Sequence, residues 1–299
     1  MKIIVTGADG FIGGHLVQKL IKCKHELFLI GEDKQKLNEL CDDHYVCLSH
    51  IGLKQEDLVQ KIQEFCPETI IHLAAYSVSS DSYEELEKLF SANILFLGKI
   101  LDAIKCTSVK HFIYTGSCTE YYKGNGDLNP AYLYSATKTA GRTILGYYSG
   151  VYNYKSIIVT LYTVYGGISK QKKILDILYD SLDSDNPVNT TLGEQVLDFI
   201  YISDLVELYC KILENIDKIS DKTDFHAGTG EGNSIRRIAA LLEESSGKKC
   251  NVIWGGIPYR KNDIMYAVAD IEKPREILNW VPIIKLEEGL KMYVVNRVT

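Results

Sequence analysis

The chain has 299 residues, 46% of them hydrophobic, enough for one large domain or two smaller ones around a sizeable core. Its net charge of -6 at pH 7, without a basic block, argues against nucleic acid or an anionic membrane as the main partner. No secretory signal or membrane-length apolar run is present, and the eight cysteines have neither C-x-x-C nor metal-ligand spacing, so we expect a cytoplasmic protein without a metal.

Apolar runs of strand length alternate with helix-period segments through the first half of the chain. The predicted strands cover residues 2–5, 26–30, 69–73, 110–115 and 156–161, and the main helices cover 11–22, 83–104 and 133–151. Strands that alternate with helices form a parallel sheet through right-handed crossovers. We therefore predict an α/β fold with a Rossmann-type, doubly wound parallel sheet.

The rhythm of the sequence changes after about residue 165. Helical patterns cover residues 174–182, 204–214 and 234–245, and two short strands lie within 188–202. We predict an NAD(P)-binding Rossmann domain over residues 1–165. Residues 166–299 are predicted to form mainly a smaller α/β lobe that binds a nucleotide sugar, with some segments returning to the Rossmann core. Ligands are expected at the carboxyl ends of the strands.

Three glycines follow the first predicted strand and open the first helix. Gly7 permits a tight turn, Gly10 lets the backbone approach a pyrophosphate, and Gly13 lets helix and strand pack closely. The helix N-terminus adds free N–H groups and a partial positive charge. The predicted cofactor-binding residues of this turn are Gly7, Asp9, Gly10, Phe11, Ile12 and Gly13.

The choice between NAD and NADP is open at this stage. Glu32 follows the second strand, and a carboxylate a few Å from a 2′-phosphate costs several kcal/mol at an effective dielectric constant of about 20, which favours NAD(H). However, Gly31 occupies the tip where the acidic residue usually lies, and Lys34 and Lys36 are available to meet a phosphate.

Two further segments are candidates for contact with the cofactor. Leu73, Ala74 and Ala75 end a predicted strand, where small side chains let the backbone lie against a ligand. Asn93 lies in the middle of a long predicted helix. We expect it to hydrogen-bond backbone or water near the active site, with an ordinary exposed asparagine as the alternative.

Tyr134 and Lys138 are four residues apart on a predicted helix and therefore share a face. Lowering a tyrosine pKa from about 10 to about 7 requires roughly 4 kcal/mol, which an ammonium about 4 Å away supplies at an effective dielectric constant of about 20. Tyr134 then exchanges a proton with a carbonyl or hydroxyl oxygen as hydride moves, while Ser117 holds that oxygen. With the glycine turn upstream, these residues predict an oxidoreductase.

The spacing T-G-x-x-G-x-x-G, together with Ser117, Tyr134 and Lys138, resembles the extended short-chain dehydrogenase/reductase family. The similarity covers nearly the whole chain and indicates the nucleotide-sugar branch, with the C-terminal half most like the CDP-abequose synthase-like reductases. The resemblance implies a catalytic triad of these three residues and an NAD(P) cofactor, with NADP(H) slightly preferred. It also implies a nucleotide-diphosphate sugar substrate and a homodimer formed by the helices at 83–104 and 133–151.

The candidate substrate-binding residues are Tyr121, Tyr165, Gln195 and Arg260. The two tyrosines are candidates to line the sugar pocket, with a place in the core as the alternative, and the resemblance implies Gln195 and Arg260. Arg260 matches an arginine that contacts the diphosphate, whereas Leu197 and Thr160 stand where arginines are usual. The 4,6-dehydratase branch needs an Asp-Glu pair where this chain has Cys118 and Thr119, so elimination chemistry is not expected.

The predicted function is NAD(P)H-dependent reduction of the C4 keto group of a nucleotide-linked 6-deoxyhexose, in deoxysugar or surface polysaccharide biosynthesis. The alternative is a nucleotide-sugar 4-epimerase with tightly bound NAD. A third hypothesis, a non-catalytic cofactor-binding protein, conflicts with the presence of all three residues of the triad.

Overall fold

Seven parallel strands form the central sheet of the computed structural model, which describes residues 1–41, 45–122, 126–167 and 172–298. In chain order the strands are β1 (Lys2–Thr6), β2 (Glu26–Gly31), β3 (Val46–Ser49), β4 (Thr69–His72), β5 (His111–Ser117), β6 (Lys155–Leu161), β7 (Thr163–Tyr165), β8 (Val188–Thr190), β9 (Val196–Tyr201), β10 (Thr223–Ala227), β11 (Gly232–Ser234), β12 (Val252–Trp254) and β13 (Tyr266–Ala267).

The helices flank this sheet and build the C-terminal part of the chain. They are α1 (Phe11–Lys22), α2 (Lys34–Leu40), α3 (Gln55–Phe65), α4 (Tyr83–Phe90), α5 (Phe96–Ala103), α6 (Leu133–Tyr152), α7 (Ile174–Ser181), α8 (Ile202–Glu214), α9 (Ile235–Ser246), α10 (Glu272–Leu278) and α11 (Leu286–Val298). A π-helical turn covers Ser91–Leu95, and 3-10 turns cover Cys118–Glu120 and Ile216–Lys218. Within the described residues, none of the helices has the length and apolar character that a bilayer span requires.

The sheet order is β10-β6-β5-β4-β1-β2-β3. Because successive strands run outward in opposite directions from β1 and β4, the order reverses between these two strands, where ligands bind in such folds. Alternate residues of β1 face the two layers: Ile3 and Val5 pack in the core that includes α1 and α8, and Ile4 packs in the core that includes α3, α5 and α6. The predicted Rossmann-type α/β fold is confirmed.

The C-terminal part of the chain contributes to two regions of the structure. Strand β10 pairs in parallel with β6 and completes the central sheet. Strands β7, β9, β11 and β13 form a second sheet, and β8 pairs with β12. Asp198 of β9 is buried and accepts hydrogen bonds from the backbone N–H groups of Thr229 at 2.8 Å and Ala269 at 3.1 Å. This carboxylate therefore ties the loop after β10 to the second sheet.

Candidate active site

A cleft with a volume of about 680 Å³ lies at the carboxyl ends of the central strands. This volume is in the range of natural ligand sites. Its walls include the glycine turn after β1, the segment after β4, the end of β5 and the start of α6. The predicted site residues that line it are Gly7, Asp9, Gly10, Phe11, Ile12, Gly13, Glu32, Leu73, Ala74, Ala75, Ser117, Tyr134 and Lys138. The structure therefore brings the glycine turn and the Ser117–Tyr134–Lys138 set into one cleft.

The glycine turn leaves room for a ligand against the backbone. Gly7 has a φ of +68°, and a Cβ at this position would lie 2.7 Å from the backbone nitrogen of Ala74. Only glycine adopts this conformation without strain and permits this approach. Gly10 precedes α1 and makes no side-chain capping hydrogen bond, so the first N–H groups of the helix are oriented for an anion.

Asp9 shapes the part of the cleft next to β2. Its buried carboxylate accepts hydrogen bonds from the backbone N–H groups of Glu32 at 3.3 Å and Asp33 at 3.1 Å. A Cβ on Gly31 would overlap this carboxylate, which explains why a glycine ends β2. Glu32, one residue later, lines the cleft, whereas Lys34 and Lys36 are absent from the part of its wall that the structure describes.

His72 supports the segment after β4 from beneath. Its Nδ1 lies 2.9 Å from the hydroxyl of Thr6, and that hydroxyl accepts a hydrogen bond from the backbone N–H of Ala74 at 3.3 Å. Burial, followed by the charge of Lys138, holds the pKa of His72 well below its usual value. The imidazole is therefore neutral and structural.

Asn93 connects the segment after β4 to α6. It is buried in the π-helical turn, accepts from the backbone N–H of Tyr76 at 2.7 Å, and donates to the Thr137 hydroxyl at 2.9 Å. Thr137 in turn donates to the carbonyl of Tyr134 at 2.7 Å. Asn93 therefore hydrogen-bonds with backbone next to the cleft, which is the first of the two outcomes expected for it. Its side chain does not form part of the cleft wall. The predicted helix over residues 83–104 is interrupted here by the π turn.

Ser117, Tyr134 and Lys138 meet where β5 ends and α6 begins. The side chains of Ser117 and Ser77 lie close enough to the Tyr134 hydroxyl to act on its pKa. Lys138 is buried one helical turn later, with its Nζ 4.2 Å from the centre of the Tyr114 ring. A carbonyl oxygen next to Ser117 would thus have two hydroxyl donors within reach.

The pKa values of this group correct one expectation. Burial, and then the Glu120 carboxylate, raise the pKa of Tyr134, and the hydrogen bonds from Ser117 and Ser77 offset this only in part. Burial lowers the pKa of Lys138 to about 8, against an opposing effect of Glu120. The expected lowering of the Tyr134 pKa by Lys138 is therefore not found, because desolvation of the phenolate dominates. The phenol is protonated at neutral pH and is a proton donor.

Tyr121 and Tyr165 do not line the part of the cleft that the structure describes. The Tyr121 hydroxyl donates to Asp224 at 3.1 Å. Tyr165 is buried in the hydrophobic core, with its ring centre 5.3 Å from that of Tyr201, which is the alternative that the sequence left open.

Gln195 and Arg260 also lie outside the described wall of the cleft. Gln195 accepts a hydrogen bond from the Thr191 hydroxyl at 3.3 Å. Arg260 lies over the ring of Tyr132, 5.9 Å from its centre, and Tyr132 itself lines the cleft. Arg260 is therefore linked to the cleft through Tyr132.

Sequence reasoning missed a cation in the cleft, Lys173. Its Nζ donates to the carbonyl of Val164 at 3.3 Å and lies 6.0 Å from the centre of the Phe11 ring. The signal available in the sequence was a lysine directly before an apolar helix, at the edge of the sheet where the strands end.

The missing arginine at position 160 has a structural explanation. Thr160 is fully buried, and its hydroxyl accepts from Arg142 at 2.7 Å and donates to Asp224 at 2.7 Å. Arg142, which belongs to α6, thus places its guanidinium next to the Thr160 side chain. The departure from the usual pattern at position 160 therefore falls in the protein interior.

The doubly wound sheet, glycine turn and Ser-Tyr-Lys set define a short-chain dehydrogenase/reductase of the extended type. The sequence model of the "NAD dependent epimerase/dehydratase family" matches residues 3–228, and the chain belongs to this family. It is therefore an enzyme of the NAD-dependent group that comprises nucleotide-sugar epimerases, dehydratases and reductases.

Individual relatives include both synthases and epimerases by name. The chain is 29% identical over 297 residues to the CDP-abequose synthase of Salmonella typhimurium, covering 97% of this chain and 96% of that one. It is 24% identical over 313 residues to the UDP-glucose 4-epimerase of Lactobacillus helveticus, covering 94% and 92%. Among solved structures, the UDP-glucose 4-epimerase of Thermotoga maritima with UDP-glucose has a TM-score of 0.86 at 25% identity, covering 100% and 99%.

Proposed function

We propose that this enzyme reduces the C4 keto group of a nucleotide-linked 6-deoxyhexose with NAD(P)H. The observation that carries the proposal is the meeting of Ser117, Tyr134 and Lys138 with the glycine turn in one cleft. A protonated Tyr134 can supply the one proton that reduction of a ketone consumes. The similarity to a CDP-abequose synthase over almost the whole chain supports a deoxysugar substrate.

The residues of the cleft divide the chemistry between them. The cofactor, when bound, supplies hydride to the carbonyl carbon. Ser117 holds the carbonyl oxygen, and Tyr134 donates the proton that turns this oxygen into a hydroxyl. Lys138 provides positive charge next to the phenolate that remains. Gly7 and the N-terminus of α1 would hold the pyrophosphate of the dinucleotide, and Leu73, Ala74 and Ala75 would lie along it.

The side chains next to Ser117 support reduction over elimination. Burial raises the pKa of Cys118 to about 12, so its thiol stays protonated. Thr119 shares hydrogen bonds with the hydroxyls of Ser117 at 2.8 Å and Ser135 at 2.7 Å. Glu120 is engaged by Arg142. A dehydratase needs an acid and a carboxylate base at the sugar, and these residues supply neither.

A 4-epimerase is the second candidate. It would use the same three residues and hold NAD tightly through both half-reactions. The similarity to UDP-glucose 4-epimerases supports this candidate, and so does the carboxylate of Glu32 in the cleft wall, which favours a 2′-hydroxyl over a 2′-phosphate.

The nucleotide diphosphate requires positive charge in the cleft. We propose Lys173 and Arg260 as its ligands, since Lys173 lines the cleft and Arg260 is one residue removed from it. Tyr121, Tyr165 and Gln195 remain candidates from the sequence, and their use would require side-chain movement on binding.

The function and the cofactor are tested in one experiment. Purified enzyme is expected to oxidise NADH in the presence of a 4-keto-6-deoxy nucleotide sugar, with kcat/KM about tenfold or more above that for NADPH. A tenfold preference corresponds to about 1.4 kcal/mol, which repulsion between Glu32 and the 2′-phosphate readily supplies. Glu32→Gln should narrow the preference, and Glu39→Gln, an exposed charge change on the neighbouring helix, should leave it unchanged.

Other outcomes of this experiment are informative. No oxidation with any such sugar, combined with stoichiometric bound NAD and interconversion of C4 epimers, would replace the reductase with the epimerase. A preference for NADPH that survives Glu32→Gln would show that Glu32 does not select the cofactor.

We also propose a homodimer. Exposed apolar side chains cluster on α4, the π turn and α6, and include Leu95, 57% exposed, and Tyr147, 66% exposed. Such a patch marks a protein interface. Tyr147→Glu is expected to give a monomer by analytical ultracentrifugation at micromolar concentration, because the interface would bury an unpaired charge. Ile283→Glu, at an apolar site 75% exposed elsewhere, should stay dimeric. A dimeric Tyr147→Glu variant would exclude this surface.

A further inference from the structure

A buried cluster of three charged side chains lies behind the catalytic residues. Glu120, which is 0% exposed, accepts a hydrogen bond from the backbone N–H of Ser117 at 2.8 Å. The same carboxylate accepts from Arg142 through Nε at 2.8 Å and through its second nitrogen at 3.1 Å. A bidentate pair of this kind fixes orientation as well as distance, so Glu120 holds Ser117 in a set position relative to α6.

Arg142 also reaches a second carboxylate on the far side. Its other terminal nitrogen donates to Asp224 at 2.5 Å, and Tyr121 donates to the same carboxylate. Asp224 belongs to β10, the edge strand of the sheet. The cluster therefore joins the end of β5, the helix that carries Tyr134 and Lys138, and a strand contributed by the C-terminal part of the chain.

Arg142 and Asp224 are each held in the charged form. Burial alone would lower the pKa of Arg142, but Asp224 and Glu120 raise it above the usual value. Burial alone would raise the pKa of Asp224, but Arg142 lowers it. Removing charges from water costs several kcal/mol for each ion. Apolar residues of similar volume would fill the same space without that cost. Stability alone therefore does not explain why charged residues occupy these positions.

We propose that Glu120, held by Arg142, is a positioning residue for the reaction, which fixes Ser117 against Tyr134. This positioning role rests on the proposed function, because it assumes that the reaction uses Ser117, Tyr134 and Lys138. Neither Glu120 nor Arg142 belongs to the described wall of the cleft, so they act through Ser117 and Lys138 and are positioning residues. Asp224 anchors the far side of Arg142 and has no contact with Ser117 among the hydrogen bonds of the described residues.

The charge of Lys138 responds to groups from several elements. Tyr114 of β5 lies under its ammonium, Tyr134 and Arg142 share its helix, and Glu120 follows β5. His72 of β4 faces it as a neutral ring. Of the charged neighbours, Glu120 raises the pKa of Lys138 and Arg142 lowers it. Loss of the Glu120 charge should therefore let Lys138 lose its proton at a lower pH.

The test compares Glu120→Gln with Asp224→Asn in full-length enzyme, since each removes one carboxylate from Arg142. Glu120→Gln is expected to lower kcat about 10- to 100-fold, the cost of a misplaced catalytic group, while KM for cofactor and sugar changes less than about threefold. The alkaline limb of its pH–kcat profile should move to lower pH. Asp224→Asn should keep the wild-type alkaline limb and most of the wild-type kcat. Its melting temperature should fall by about as much as that of Glu120→Gln.

Hydrogen exchange measured by mass spectrometry gives a readout that needs no substrate. Exchange in the peptide that contains Ser117 should be faster in Glu120→Gln and unchanged in Asp224→Asn. If wild-type enzyme turns over no nucleotide sugar, the proposed function fails and this comparison still decides the positioning role. If Glu120→Gln does not fold, Arg142→Lys, which keeps a cation without the bidentate bond, takes its place with the same expectation for kcat and for exchange at Ser117. The proposal would be overturned if both variants lost kcat equally and the losses matched the decreases in their melting temperatures.

Discussion

Tyr134→Phe is expected to lower kcat by about 10²- to 10⁴-fold, the contribution of a positioned proton donor. The substitution keeps the ring at the start of α6 and removes the hydroxyl next to Ser117 and Ser77. Binding of NAD(H), followed by fluorescence titration, should change less than about threefold, because a phenylalanine preserves the shape of the cleft. Steady-state kinetics with the preferred nucleotide sugar measure the loss.

Tyr132→Phe is the matched control for Tyr134→Phe. Tyr132 lines the same cleft two residues earlier, and its hydroxyl donates to Asp263 at 3.3 Å. Loss of one hydrogen bond outside the proton-transfer path should cost less than about fivefold in kcat, corresponding to about 1 kcal/mol. If Tyr134→Phe kept wild-type kcat and binding, the triad would not be catalytic, and a cofactor-binding protein without activity would become the better description.

Gly7→Ala is expected to abolish cofactor binding and to lower the free energy of unfolding by about 2–4 kcal/mol. A φ of +68° is strained for alanine, and the new Cβ would lie 2.7 Å from the backbone nitrogen of Ala74. The turn and the segment after β4 would have to separate, which disrupts two walls of the cleft at once. Urea unfolding and fluorescence titration with NADH measure the two effects.

Gly14→Ala separates this effect from a general effect of alanine in α1. The alanine Cβ at position 14 would lie 3.5 Å from the Leu40 side chain, which is an ordinary van der Waals contact. An alanine inside a helix is about 1 kcal/mol more favourable than glycine, so this variant should bind NADH normally and be equally or more stable. Normal NADH binding by Gly7→Ala would show that the turn does not hold the cofactor.

The sequence patterns that punctuate the first half of the chain predicted its structure closely. Helix α1 begins and ends as expected over residues 11–22, because the glycine turn marks its start and its apolar spacing marks its length. The 83–104 helix was correct in extent, but the π turn within it was not predictable. That turn depends on hydrogen bonds from Asn93 to Tyr76 and Thr137, which are tertiary contacts invisible to local periodicity.

The candidate site was predictable where a motif is local and not where it depends on distant partners. The triad and the turn follow from short spacings, and all of their residues line the cleft. The Glu120–Arg142–Asp224 cluster joins residues 22 and 82 positions apart, so no window of the sequence reveals it. Tyr121 is a candidate for the sugar pocket from the sequence, whereas in the structure its hydroxyl donates a hydrogen bond to Asp224 of that cluster.

The pairing of β10 along β6 has a consequence for how the protein is divided experimentally. A fragment ending near residue 165 would lack Thr223–Ala227, the segment that runs beside Ile157 to Leu161. The backbone donors and acceptors on that side of β6 would then face solvent as an open sheet edge, which recruits other chains. The dinucleotide half is therefore not separable by truncation, and domain-swapping or split-protein designs must carry the 223–227 segment with it.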